Sequence, residues 1–139
     1  MLKVVIDTNI LLVAVSKRSP YHWIFQGLIK GDYTLCVTNE ILLEYEEIIG
    51  KEMGIKVAGN VIQTLENLPN VELITKYFSW DLIKTDSDDN KFTDCAVAGN
   101  AFCLVSHDKH FNILKKIDFP KINVASIEGF RKILMRMKN

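Results

Sequence analysis

The sequence predicts an α/β protein: a three-layer α/β/α sandwich around a central parallel sheet of about five strands, Rossmann-like in its layering. Two observations carry that expectation. Short β-rich runs recur at Leu2 to Asp7, Thr34 to Thr38, Val71 to Thr75, Phe102 to Ser106 and Ile122 to Ser126, and stretches with helical spacing separate them. The runs are also apolar at consecutive positions, so both faces of each strand need covering, as in a parallel sheet with helices on each side.

The first strand ends in an anomaly. In "VVIDTNILL", Val4 to Leu12, apolar residues flank Asp7-Thr8-Asn9, where a strand hands the chain to a helix. A carboxylate in such a place costs several kcal/mol unless something binds it. After the second run, Thr38-Asn39 can cap a helix whose buried stripe is Ile41, Leu42, Tyr45, Ile48 and Ile49. Glu44 lies at or beside that stripe, whereas Glu46 and Glu47 fall toward solvent and Glu40 is a first-turn acid favoured by the helix dipole. Val57, Val61, Ile62 and Leu65 space a further helix, ended by Leu68-Pro69-Asn70 before the third strand. Ser87-Asp88-Asp89-Asn90 forms a capping cluster ahead of a helix over Lys91 to Ala101, with Phe92, Cys95, Ala96 and Gly99 on one side. The last two strands come next, and Lys132, Arg136 and Lys138 read as the solvated face of a final helix.

Composition sets the bounds. The chain has 139 residues, 48% hydrophobic and 24% charged, which fits one globular domain over 1–139 rather than a disordered or fibrous chain. No segment approaches the ~20 apolar residues of a membrane span, and the start lacks the h-region and cleavage site of a secretory signal, so a cytoplasmic protein is expected. Cys36, Cys95 and Cys103 are odd in number, lie in apolar segments and form no C-x-x-C pair, which reads as buried thiols rather than disulfides or a zinc site. With a formal net charge of zero there is no global basic field, so any polyanion must be held locally or through a metal.

In open parallel sheets ligands sit beyond the carboxyl ends of the strands. Asp7 ends the first strand and Asp108 lies two residues past the fourth, so both reach one rim if those strands are neighbours. Asp89 and Asp94, about one helical turn apart, bring further carboxylates toward it. Each acid alone also reads as a helix cap or a solvated position; it is their joint placement on one rim that points to a metal site. Hard divalent cations take oxygen ligands, and a few carboxylates with substrate phosphate suffice for Mg²⁺. Such a centre activates water against a phosphodiester and steadies the leaving oxygen. His22, His107 and His110 read as surface or supporting residues, and Lys17, Arg18, Lys91 and Lys109 as solvated.

Together, "VVIDTNILL", "ILLEY", "DSDDNKFTDCAVAGNA" and "CLVSHDKHF" resemble the PIN-domain nucleases, particularly the toxins of bacterial toxin–antitoxin pairs. The resemblance runs from Leu2 to about Ile127 in order and spacing. It implies a single PIN-like domain and a cluster of Asp7, Glu44, the acid of the Asp89 to Asp94 helix and Asp108, holding one or two Mg²⁺ or Mn²⁺ ions, with Asn9 and Ser106 as supporting polar residues. Two positions depart from the commonest pattern: three acids, Asp88, Asp89 and Asp94, compete for the third place, and His107 stands where many members have Gly or Arg. We expect both Asp89 and Asp94 to serve, one as direct ligand and one through a water, with Asp88 in solvent. The implied activity is a metal-dependent endoribonuclease acting on RNA, held in check by an antitoxin protein and working as a homodimer, for which Tyr21, Trp23, Ile24, Phe25 and Leu28 offer surplus apolar surface. The alternatives are a catalytically silent PIN-like module that binds RNA or protein, and an aspartyl-phosphatase-type hydrolase. The latter wants Asp-x-Asp on the first strand, where this chain has Asn9. A receiver switch wants adjacent acids at the first strand and an Asp ending the third, which Val71 to Thr75 does not supply, and a dinucleotide-binding module lacks G-x-G-x-x-G.

Overall fold

Neighbouring residues of a strand point to opposite faces of its sheet. In the first strand, β1 (Lys3–Ile6), Val4, Val5 and Ile6 are nevertheless all fully buried, as are Cys103, Leu104 and Val105 to within 2% in the strand beside it. Both sheet faces are therefore covered, and the fold is the three-layer α/β/α sandwich expected. The computed structural model describes residues 1–138.

Each β-rich run forms a strand: β1, β2 (Thr34–Val37), β3 (Val71–Leu73), β4 (Cys103–Val105) and β5 (Val124–Ala125). They make one sheet of five strands in the order β3-β2-β1-β4-β5, and every pairing is parallel. Val4 pairs with Cys103 and Ile6 with Val105, so β1 and β4 end level with each other. From β1 the chain works outward to β2 and β3, then returns across the sheet to start β4 and β5 on the other side. The switch point of the topology thus lies between β1 and β4, where an open α/β sheet leaves its crevice.

The helices are α1 (Thr8–Val15), α2 (His22–Lys30), α3 (Asn39–Met53), α4 (Ile55–Asn67), α5 (Asn90–Ala98) and α6 (Ile127–Lys138), with 3-10 turns at Ser87–Asp89 and Lys109–Lys116. Thr38 caps α3 as anticipated, accepting the Ile41 N–H at 3.2 Å. Gly54, at φ 99°, separates α3 from α4 in a conformation an L side chain resists. The expected helix to Ala101 stops at Ala98, and Asn100 takes φ 52° to release the chain into β4.

The apolar residues around α2 pack largely inward, with Tyr21, Trp23 and Phe25 partly buried against the core. Ile24 and Leu28 are fully buried, Trp23 packs on Phe130 of α6 at 5.8 Å, and Tyr33 meets the same ring edge-on at 5.1 Å. Arg131 lies over the Trp23 ring at 5.7 Å. All three cysteines are buried free thiols, and burial pushes Cys36 and Cys103 up to about 11, well away from reactivity. No helix of the described residues is long and apolar enough to cross a membrane.

Candidate metal centre

Asp7 is held by the first turn of α1. Its Oδ1 accepts the N–H groups of Asn9 at 2.9 Å and Ile10 at 3.2 Å, capping the helix, while its own N–H extends the ladder to Val105 O at 3.1 Å. The cap reading holds for this residue, and capping occupies one oxygen. The other accepts the Ser106 hydroxyl, and Ser106 Oγ in turn accepts the Asp108 N–H at 3.0 Å. A serine at the end of β4 therefore ties Asp7 to the loop that carries Asp108, as the level ends of β1 and β4 permit. The Asn9 side chain is exposed, and its recorded contribution is its backbone.

Burial pushes the Asp7 carboxyl above its ordinary value, and the Asp108 charge adds to the rise, against the Ser106 hydroxyl and the Ile10 and Asn9 amides. Only 6% of Asp7 remains exposed. An anion so placed favours a bound cation or a proton.

Asp108 caps the 3-10 turn at Lys109–Lys116, accepting the His110 N–H at 2.9 Å. That turn returns the His110 ring to the same rim. Its Nδ1 lies 2.9 Å from Asp89 Oδ2, 3.3 Å from Asp108 Oδ1 and 3.9 Å from Asp86 Oδ2. Asp86, Asp89 and His110 offer ligand atoms all within 4.8 Å of one another. The Asp89 carboxyl is raised by burial and by the charges of Asp108 and Asp86, with His110 opposing; His110 is raised chiefly by its hydrogen bond to Asp89.

Glu44 reaches the rim from α3. Its carboxylate accepts the Thr8 hydroxyl beside Asp7 and takes Lys91 Nζ at 2.6 Å, joining α1, α3 and α5. The half-buried position beside the α3 stripe is the one its spacing predicts. Asp94 is placed differently. It is 2% exposed, accepts the Trp80 N–H at 3.0 Å, faces Lys76 at 3.6 Å, and contacts none of Asp7, Asp89 or Asp108. Its position one turn into α5 turns it toward the loop after β3. Asp88 is exposed, as expected. Asn90 holds that same loop, accepting from Ile83 N at 2.8 Å and donating to Ile83 O at 2.9 Å.

Two residues of the cluster escape sequence reasoning. Asp86 precedes Asp89 by three, one turn apart in a tight helical turn, and that spacing is its only signal. His110 reads from sequence as a surface or supporting residue, and nothing there indicates that a 3-10 turn brings its ring onto Asp89. His107 and His22 have structural contacts: His107 Nε2 accepts the Ile127 N–H at 3.0 Å, and His22 Nδ1 pairs with Ala14 O at 2.8 Å.

The donor set suits a divalent cation: carboxylate oxygens of Asp86, Asp89 and Asp108 surround one imidazole on the rim. The molecule is thus an α/β/α protein with an acidic centre at its topological switch point. The chain belongs to the PIN-domain family, whose model matches residues 3–110. No curated protein sequence matches it. Among solved structures it is similar to VapBC2 from Rickettsia felis bound to a DNA fragment from its promoter, at TM-score 0.62 and 16% identity over 90% of this chain and 98% of that one. It is also similar to Mycobacterium tuberculosis VapC20, a sarcin–ricin loop cleaving toxin, at TM-score 0.56 and 15% identity over 78% and 92%. DNA-bound VapBC from Salmonella typhimurium gives TM-score 0.56 and 16% identity over 91% and 99%.

Proposed function

We propose that this protein is a divalent-metal-dependent endoribonuclease, the toxin of a toxin–antitoxin pair, with its centre at Asp7, Asp89 and Asp108. The observation that carries the reading is the serine link: Ser106 binds Asp7 and the Asp108 backbone at once, so two carboxylates from different strands share one rim with Asp89. Asp7 and Asp108 would hold the cation from the two sides of the switch point, and Asp89 from the start of α5. A Mg²⁺ or Mn²⁺ ion there supplies activated water and counter-charge for the phosphodiester.

The chain's own groups do the rest. Ser106 and the amides of Asn9 and Ile10 fix the Asp7 rotamer. Glu44, anchored by Thr8 and Lys91, is placed to orient water or take a proton at the edge of the centre. A groove of about 400 Å³ beside His110 carries Lys84, Lys109 and Lys116, positive charge for the phosphates that flank the cleaved bond. That arrangement supports a polyanionic substrate on a chain of zero net charge.

The toxin reading draws on the structural neighbours: one is a toxin that cleaves the sarcin–ricin loop, and two are VapBC assemblies bound to DNA. An antitoxin would cover exposed apolar surface, and the aromatic ladder of Phe78, Trp80 and Phe119, with ring separations of 4.7 and 5.7 Å, is of that kind. The homodimer expected from the resemblance and the cytoplasmic location expected from the sequence belong to the same reading.

The test is cleavage of single-stranded RNA with added Mn²⁺. Asp7→Asn, Asp89→Asn and Asp108→Asn should each lower turnover by at least about 100-fold while remaining folded, whereas Asp88→Asn cleaves normally. Equal cleavage by all four variants contradicts the proposal.

A further inference from the structure

Resting on that reading of the rim, we propose that His110 is a nitrogen ligand of the cation, joined by Asp86, and that this mixed donor set makes the centre favour borderline transition ions such as Co²⁺ over Mg²⁺. Three features of the cluster carry this.

The first is spacing. Donor atoms on adjacent corners of an octahedron lie about 3.0 Å apart when each bond is about 2.1 Å. His110 Nδ1 is 2.9 Å from an Asp89 oxygen, 3.3 Å from an Asp108 oxygen and 3.9 Å from an Asp86 oxygen, so small rotations of these side chains bring them to the corners of one coordination shell.

The second is charge. Glu44, at the edge of the rim, already has an ammonium partner in Lys91 at 2.6 Å, and Asp94, facing the loop after β3, has Lys76 at 3.6 Å. Asp86, Asp89 and Asp108 converge on one imidazole, which carries at most a single positive charge, and among the described residues no lysine or arginine nitrogen lies within 4.0 Å of them. Charge of this kind left over at one point is met by a cation of higher valence.

The third is ligand chemistry. Mg²⁺ wants oxygen donors in near-ideal octahedral geometry and keeps its waters, whereas imidazole nitrogen raises affinity for later divalent ions in the order Mn²⁺, Fe²⁺, Co²⁺, Ni²⁺. A rim made of carboxylates alone follows the same order less steeply. The His110 side chain is 42% exposed and sits on the 3-10 turn, so it can exchange its Asp89 hydrogen bond for a metal bond without disturbing the core.

Titration calorimetry of Co²⁺ and of Mg²⁺ on the metal-free protein tests this, with the visible absorption of bound Co²⁺ as a second readout. Wild type should bind Co²⁺ more tightly than Mg²⁺. In His110→Gln, which keeps a donor for Asp89 and offers only a hard amide oxygen, the Co²⁺-to-Mg²⁺ affinity ratio should fall about tenfold and the Co²⁺ spectrum should change. Asp86→Asn should weaken Co²⁺ binding several-fold. Melting of the metal-free variants confirms that each is folded, which the exposure of both side chains favours. An unchanged ratio and spectrum in His110→Gln, or unchanged Co²⁺ affinity in Asp86→Asn, overturns the assignment. Failure of the nuclease reading is a separate outcome: RNA then stays intact while the affinity ratio still depends on His110.

Discussion

Asp7 shows how a residue costly to the fold can be held in place by its neighbours. Its pKa is raised in the folded chain, so the stability it contributes is present below the unfolded carboxylate value and lost as pH rises through the folded one. Asp89 obeys the same rule. His110, raised by its Asp89 hydrogen bond, contributes stability below its unfolded value that is likewise lost as pH rises through the folded value. All three groups lower the stability of the metal-free protein as pH rises, the two carboxyls over a window that opens at the ordinary carboxylate value and His110 over one that opens at the ordinary imidazole value. Asp7→Asn keeps an acceptor for both backbone amides and lets Ser106 accept instead of donate, so it should melt a few degrees above wild type at pH 8 without metal, with the gap closing toward pH 4, the ordinary carboxylate range. Added Mn²⁺ should raise the wild-type midpoint most at pH 8, where the carboxylates are ionised, and leave Asp7→Asn nearly unmoved. Differential scanning calorimetry at the two pH values reads both effects; an Asp7→Asn variant less stable than wild type at pH 8 would show that burial of this charge is not the dominant cost. Asp7 is legible in the sequence because a carboxylate among apolar residues is an anomaly visible without coordinates. Its link through Ser106 depends on two strands lying side by side, information held in the topology.

Among the elements, α5 and the loop before it separate what is legible from what is not. The five strands declare themselves through consecutive apolar residues, and Glu44 through its place beside the α3 stripe. Which acid of the α5 region faces the rim is decided by the 3-10 turn at Ser87–Asp89, which rotates Asp89 toward His110 and leaves Asp94 one turn later facing the 74–86 loop. Helical periodicity carries no record of such an entry angle. Asp94 thereby anchors a loop: it accepts the Trp80 N–H while Lys76 neutralises it. Asp94→Ala leaves the Trp80 amide unpaired and should cost about 1–3 kcal/mol, whereas Asp94→Asn retains an acceptor and should cost less. Both should bind Mn²⁺ as wild type does. Denaturant melts paired with calorimetry check this, and loss of Mn²⁺ binding in Asp94→Asn would restore Asp94 to the metal shell.

The topology of the whole chain explains why the acids can gather at all. A parallel order of β3-β2-β1-β4-β5 places its switch point between β1 and β4, so Asp7 and the loop carrying Asp108 face each other across the crevice. Zero net charge gives no long-range attraction for a polyanion, so the proposed activity rests on local features, the groove with Lys84, Lys109 and Lys116 beside His110 and a cation on the rim. Whether these carboxylates hold a divalent ion is decided by a crystal soaked in Mn²⁺ and measured for anomalous scattering. A peak is expected within bonding distance of carboxylate oxygens of Asp89 and Asp108, on the Asp7 side of the rim. A protein that takes up Mn²⁺ only at Asp94 and Asp88, or shows no ordered ion at the switch point, would refute a metal centre at this rim.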